Sequence, residues 1–333
     1  MHELNGIMII PTGLDCALGG DAAYMPGVKL ISNCANNLII NPNAVNASDI
    51  NELPSNALYV EGSTIDRFLE GKLNLRKTKT FNKILMAVNS PVGNIEQNCK
   101  NAAIWGLGAD VEMVELKTPL VMKAEINADG TAGGTYSGVS ELVKQLSNYE
   151  YDALAIQTKI DIDPDTENHY WKHGGVNPWG GIEAIVSKDI SQRLNKPLAH
   201  GPTGNVRIVA NELIVEKTMA PEAISISFMF CVFKGLHRAP RLELDITKTG
   251  NQILSRKDID FFLTPHGCWG RPHEAASNLG IPIIVVEENT TCFSNGFTYP
   301  ENKHIINARS YLEAAGIISS MSAGIDYKTV VLD

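Results

Sequence analysis

The densest chemistry in this sequence lies between residues 258 and 290. Thr264, His266, Cys268, Arg271, His273 and Glu274 crowd one stretch there, and Glu287, Glu288 and Asn289 follow. A thiol, two imidazoles and several carboxylates in one segment suit nucleophilic catalysis and proton transfer. Gly267 and Gly270 flank Cys268 and Trp269, so the backbone can approach a ligand closely. Arg271 and the amino terminus of a following helix favour an anion and a thiolate. Cys268 is accordingly expected to be the most acidic of the six thiols. It would act as nucleophile or acid/base, with His266, His200 and Glu287 in the same catalytic set. The plainer reading is that Cys268 is a small buried hydrophobe whose Trp, His and Arg neighbours cap and pack.

The same loop admits a metal. His266, Cys268 and His273 offer nitrogen and sulfur ligands for zinc, with a position left for water. Their spacing matches no established zinc signature, so no cofactor is expected, and a zinc-dependent hydrolase is the alternative. A reading from another class is a non-catalytic small-molecule binding protein that uses these loops for recognition alone.

The elements that must position these residues are short apolar runs followed by loops. Ile259–Leu263 reads as a buried strand, Pro272 as the first turn of a helix that Gly280 and Pro282 end, and Ile283–Val286 as a second strand. Two such strands joined through a helix are expected to lie parallel, with ligands at their carboxyl ends. Gly6–Pro11 leads in the same way into Thr12 and Gly13, in a glycine-rich loop that lacks both GxGxxG and GK[ST]. Leu38–Ile40 leads into an asparagine-rich turn with Asn43 and Asn46. Ala57–Val60 ends at Glu61, with Ser63 or Thr64 as the cap of the next helix. Pro197–Leu198–Ala199 delivers His200. The run Ile224–Phe233 delivers Arg238, a natural clamp for a carboxylate or phosphate.

Residues 71–80 are polar and basic and read as a crossing into a second lobe, where strands near Ile84–Val88, Val111–Leu116 and Ala153–Ile156 alternate with amphipathic helices. The expected fold is therefore α/β, with mostly parallel sheets flanked by helices. Residues 1–333 form one compact unit, divisible into two intertwined Rossmann-like lobes, 1–80 with 195–333, and 81–194.

Composition bounds the partners. A formal charge of −9 without a lysine or arginine block disfavours nucleic acid and anionic membranes. The longest apolar run, Ala223–Phe233, falls short of the roughly 20 residues that a membrane-spanning helix needs. Six cysteines without a CxxC pair argue against a disulfide scaffold and for a cytoplasmic protein. A homo-oligomer is expected from the general frequency of symmetric assemblies.

Several segments in order, among them IIPTG near 10, INPNAVN near 43, NALYVEGSTIDRF near 61, GGIEAIVS near 183, LAHGP near 200, GLHRAP near 238 and IPIIVVEENTT near 287, resemble the domain-of-unknown-function family 3326 of bacteria and photosynthetic lineages. The resemblance runs almost end to end. It points to Thr12, Gly13, Gly19, Gly20, Asp21, Pro42, Asn43, Asn46, Glu61, Asp66, Arg67, His200, Arg238, Cys268, Glu287, Glu288 and Asn289 as family-like positions, and it implies no particular activity. Asn41 stands where the family pattern has histidine, and Trp269–Gly270 where it has paired glycines.

The leading functional expectation is a cofactor-independent hydrolase, isomerase or lyase for a small anionic metabolite. Its substrate contacts would be Thr12, Gly13, Asn43, Asn46, Glu61, Arg238, Arg271 and Asn289, converging with the catalytic set in one cleft.

Overall fold

Parallel strands buried on both faces need apolar side chains in both alternating registers, and this chain supplies them twice. The computed structural model describes residues 2–19, 21–41, 52–203, 213–225, 227–301 and 304–331. Asn43 and Asn46 lie outside the described residues.

The chain begins with β1 (Asn5–Ile9), α1 (Met25–Ser32), β2 (Asn37–Asn41), β3 (Ala57–Tyr59), α2 (Gly62–Leu69) and β4 (Asn74–Arg76). A second run follows: β5 (Lys83–Asn89), α3 (Asn94–Leu107), β6 (Asp110–Leu116), β7 (Val121–Ile126), β8 (Ala132–Ser137), α4 (Val139–Leu146), β9 (Ala153–Gln157), β10 (Ile160–Asp161), α5 (Pro164–His173), α6 (Gly180–Leu194) and β11 (Leu198–His200). The last run holds α7 (Ala220–Ala223), α8 (Phe228–His237), β12 (Arg241–Glu243), β13 (Ile253–Leu254), β14 (Phe261–His266), α9 (Arg271–Asn278), β15 (Ile283–Thr290), β16 (Ile305–Ala308) and α10 (Tyr311–Ala323).

The larger sheet has the order β16-β15-β14-β1-β2-β3 and is parallel throughout. Alternate residues of its strands enter different cores. Met8, Leu38, Phe261, Leu263 and Ile284 pack with α1 and α10, while Ile7, Ile39, Phe262 and Ile283 pack with α2 and α9. The second parallel sheet, β11-β9-β5-β6, repeats the scheme, with α4 and α6 on one face and α3 and α8 on the other. A small sheet, β10-β7-β8, flanks α6, and an antiparallel sheet, β12-β4-β13, lies where the chain leaves and re-enters the larger sheet.

The expected α/β class with mostly parallel sheets is what the chain adopts. Two local expectations differ. Leu198–His200, grouped by a division at 195 with the first lobe, pairs instead with β9 in the second sheet. The run Ile224–Phe233, expected to act as a strand, contains the start of helix α8, where Ser227 caps the first turn by accepting from the Phe230 amide. This helix is buried between β9 and α3 and so is apolar on nearly every side, which erases the periodicity that separates helix from strand.

Gly6 marks the tightest strand contact in the larger sheet. A Cβ there would lie 2.0 Å from Phe261 Cζ on the neighbouring strand, in a fully buried core. Gly6→Ala is therefore expected to lower stability by about 1–3 kcal/mol through overpacking. A denaturant midpoint equal to or above that of the parent would show that the ring can move aside at no cost.

Candidate functional site

The carboxyl ends of β1, β2, β3 and β11 face one cleft of about 300 Å³. Ile9, Thr12, Asn41, Tyr59, Glu61, Ser63 and Asp66 line it from the larger sheet and α2; Glu183, Ala184, Ser187, Lys188 and His200 line it from α6 and β11, and Pro272 closes one side.

Four sets of contacts fix its walls. The Glu61 carboxylate caps α2, accepting from the backbone amides of Ser63 (2.8 Å) and Thr64 (2.9 Å) and from both of their hydroxyls. The cap is thus Glu61 itself, where Ser63 or Thr64 was expected. A longer acidic side chain can reach back over the same amides and also meets the positive end of the helix. Across the cleft, Thr64 Oγ1 lies 3.0 Å from Ser191 Oγ of α6, and Arg67 donates to Asn195 Oδ1 (2.8 Å) and Ser191 Oγ (3.1 Å). The Tyr59 hydroxyl donates to the Leu198 carbonyl at 2.8 Å. The Thr12 loop meets α6 directly, since a Cβ on Gly180 would lie 2.7 Å from Thr12 Oγ1, and it meets β8 through Gly13, which at φ 84° accepts from the Ala132 amide.

His200 is a fixed group. Its side chain is 2% exposed, with Nδ1 at 2.8 Å from Glu183 Oε1 and Nε2 at 2.8 Å from Thr158 Oγ1. Both ring nitrogens are engaged, so the imidazole orients Glu183, whose carboxylate is the more exposed partner.

Asp66 is the perturbed acid of the cleft. Burial pushes its carboxyl up to about 6, with Arg271 and Lys188 opposing the rise and Glu61 and Glu70 adding to it. One helical turn later, Glu70 is driven down to about 2, first by its hydrogen bonds with Arg271, whose Nε and Nη2 sit 2.5 and 2.8 Å from the two carboxylate oxygens. Asn41 Oδ1 is buried in the cleft wall with no partner among the described residues, an acceptor left for a ligand to satisfy.

Of the expected contacts, Thr12, Glu61 and His200 line this cleft and Gly13 abuts it. Others are placed elsewhere. Cys268 is 7% exposed, within the core under α9, and burial pushes its thiol up to about 11, partly offset by the Thr264 hydroxyl. The expectation of an acidic thiol is reversed, because desolvation outweighs a helix terminus and an arginine that turns outward to Glu70. His273 is also buried and held neutral, pushed down to about 3, with Nε2 at 2.8 Å from Thr264 Oγ1 and Nδ1 accepting from the Gly270 amide.

His266 Nδ1 lies 3.0 Å from the Tyr299 hydroxyl. With His273 engaged at both nitrogens, His266, Cys268 and His273 do not form a ligand set. Among the described residues no group of three His, Cys, Asp or Glu side chains is arranged to hold a metal ion. Arg238 is exposed and, among the described residues, donates to the Leu53 carbonyl at 3.5 Å; Glu287 is exposed and does not line the cleft. Asn289 is spent internally, donating to Tyr24 and Tyr311 and accepting from the Leu18 amide.

Sequence reasoning gave no role to Glu183, Lys188, Ser187 or Thr158, and it had Asp66 only as a family-like position. The spacing of Glu183, Ser187 and Lys188 along one helical face, just after a paired glycine, was the available signal.

The family model described as protein of unknown function (DUF3326) matches residues 5–331. The chain belongs to this family. A relative from Synechococcus sp., named as an uncharacterised lipoprotein, is 28% identical over 338 residues, covering 98% of this chain and 92% of its own. Among the described residues, no helix is long and apolar enough to cross a membrane.

Two outcomes test this geometry. Alkylation of the native protein near neutral pH is expected to label the exposed Cys292 well before the buried Cys268; first labelling of Cys268 on peptide mapping would contradict its burial. The second concerns pH. Because the Asp66 carboxyl is raised from 3.8 to about 6, the folded state binds this proton more tightly than the unfolded chain. Its contribution to stability is complete below 3.8 and is lost as pH rises through about 6. Glu70, lowered to about 2, acts in the opposite sense: its contribution is present above the ordinary carboxylate range and lost as pH falls toward about 2. Asp66→Asn should therefore gain stability over the parent on going from acid to neutral pH, read as a widening difference in denaturation midpoint.

Proposed function

We propose that this cleft performs acid–base chemistry on a small polar metabolite, with Asp66 as the acid and Glu183 as the base. The observation that carries this reading is the pair itself: a carboxyl raised to about 6 by burial and a second carboxylate held by a buried histidine, lining one cleft. Glu183 takes a proton from the substrate or from an attacking water, and Asp66 gives one to the product or to the leaving group. Proton exchange with solvent then restores both. Hydrolase, isomerase and lyase reactions all draw on this cycle without a nucleotide cofactor. Asn41 and the Thr12, Ser63 and Ser187 side chains supply polar contacts along the walls.

Among the described residues the lining carries Glu61, Asp66 and Glu183 against one cation, Lys188, which suits a neutral or amine-bearing metabolite better than the anion expected from the sequence. A volume of about 300 Å³ is at the small end of ligand sites. No disulfide joins the six cysteines, which supports a cytoplasmic setting; the printed name of the Synechococcus relative raises a membrane-tethered one, and cell fractionation separates the two.

Incubating the purified chain with a cellular metabolite extract and following depletion by mass spectrometry tests the proposal. The parent is expected to consume a small neutral or amine-bearing compound. Asp66→Asn and Glu183→Gln should slow this by about 100-fold or more, and Cys268→Ala should retain it. Loss with Cys268→Ala but not with Asp66→Asn would return the chemistry to the thiol. A compound retained by the protein but never converted would make the cleft a binding site only.

A further inference from the structure

Arg271, expected from the sequence to hold a substrate anion, has a different task in the fold. It opens α9, beside the cleft-lining Pro272, and α9 packs on α2. Asp66 and Glu70 stand four residues apart on α2 and so share a helical face. The guanidinium meets the two carboxylates unequally. Its Nε and Nη2 fork onto Glu70 at 2.5 and 2.8 Å, while Nη1 stops 3.9 Å from Asp66 Oδ2, beyond hydrogen-bonding reach. Lys72 adds a second cation on Glu70, at 2.7 Å.

We propose that Glu70 and Arg271 form a positioning pair that governs whether the Asp66 carboxyl carries a proton when substrate arrives. The proposal rests on the acid role of Asp66 given above. Glu70 occupies the fork of the guanidinium and keeps it at a distance; without Glu70, the nearest alternative carboxylate for the fork is Asp66, and a bidentate contact there would hold Asp66 ionised. The other charges that bear on Asp66 are Glu61 at the start of its own helix and Lys188 from α6, so α2, α6 and α9 each contribute one or more. The opposite displacement of Asp66 and Glu70 around one arginine agrees with this division.

The experiment is a pH titration of the whole protein carrying carboxyl-labelled aspartate, followed by carbon NMR, with the Asp66 signal assigned by its loss in Asp66→Asn. Arg271→Gln is expected to move the Asp66 midpoint upward, and Glu70→Gln to move it downward, each by about one pH unit. Removing Glu70 also removes a repelling charge, so the double variant separates the two causes. In the Arg271→Gln background, Glu70→Gln should shift the midpoint much less than it does alone. Equal shifts in both backgrounds, no shift in either single variant, or shifts of both in one direction would overturn the positioning pair.

Failure of this proposal is distinguishable from failure of the acid reading. Midpoints that move as described while Asp66→Asn keeps full turnover would remove the acid role and leave the pair standing. Unmoved midpoints with turnover lost in Asp66→Asn would do the reverse.

Discussion

The cleft exists because α2 is fastened to α6 across two separate sheets. Thr64 meets Ser191, and Arg67 spans to Ser191 and Asn195, so a short polar seam sets the spacing between the two sheets. Each member is half-buried or better, where an unmade hydrogen bond costs about 1–3 kcal/mol, so the seam resists opening. Everything in the site hangs from these two helices: Glu61 and Asp66 on one, Glu183 and Lys188 on the other. Parallel strand ends supply the location, and the seam makes it a cleft of definite width.

Electrostatics inside that cleft follow from how far each carboxylate is dried and which cation reaches it. Asp66 and Glu70 share a helix face and an arginine, yet one is raised and the other lowered. Solvent exclusion dominates where the fork does not reach, and charge-assisted hydrogen bonds dominate where it does. The Cys268 loop obeys the same competition, with burial as the winner. Its thiol, the Thr264 hydroxyl and His273 form a chain of neutral polar groups inside an apolar core.

Much of the architecture was legible in the sequence because parallel strands announce themselves as short apolar runs ended by Gly, Pro or Asn. The crossover from Phe261 to Thr290 through α9 was readable in this way, and so were the strand-end positions of Thr12, Glu61 and His200. Helix α8 was not, since a helix buried on nearly all sides has no polar face to betray its period. The site was half legible for a related reason. Strand-end residues can be found from the run before them, but Asp66, Glu183 and Lys188 lie inside helices, where a charged residue looks like any solvated one. Only the meeting of α2 with α6 shows that those faces look inward. Cys268 misled because its stretch of sequence is crowded with His, Arg and Glu, while its side chain belongs to the same core cluster as Phe262, Ala276 and Val285, from two strands and a helix.

The pairing of β1 with β14 joins Gly6 to Phe261, and the whole of the second sheet lies between them in the chain. During synthesis the ribosome therefore releases all the strands of the second sheet before the larger sheet can receive its central partner. For that interval β1, β2 and β3 stand as an apolar ribbon whose β1 edge is unpaired, and such a ribbon invites association with other nascent chains. The order of synthesis makes shielding of that first ribbon until β14 emerges a requirement for building the larger sheet.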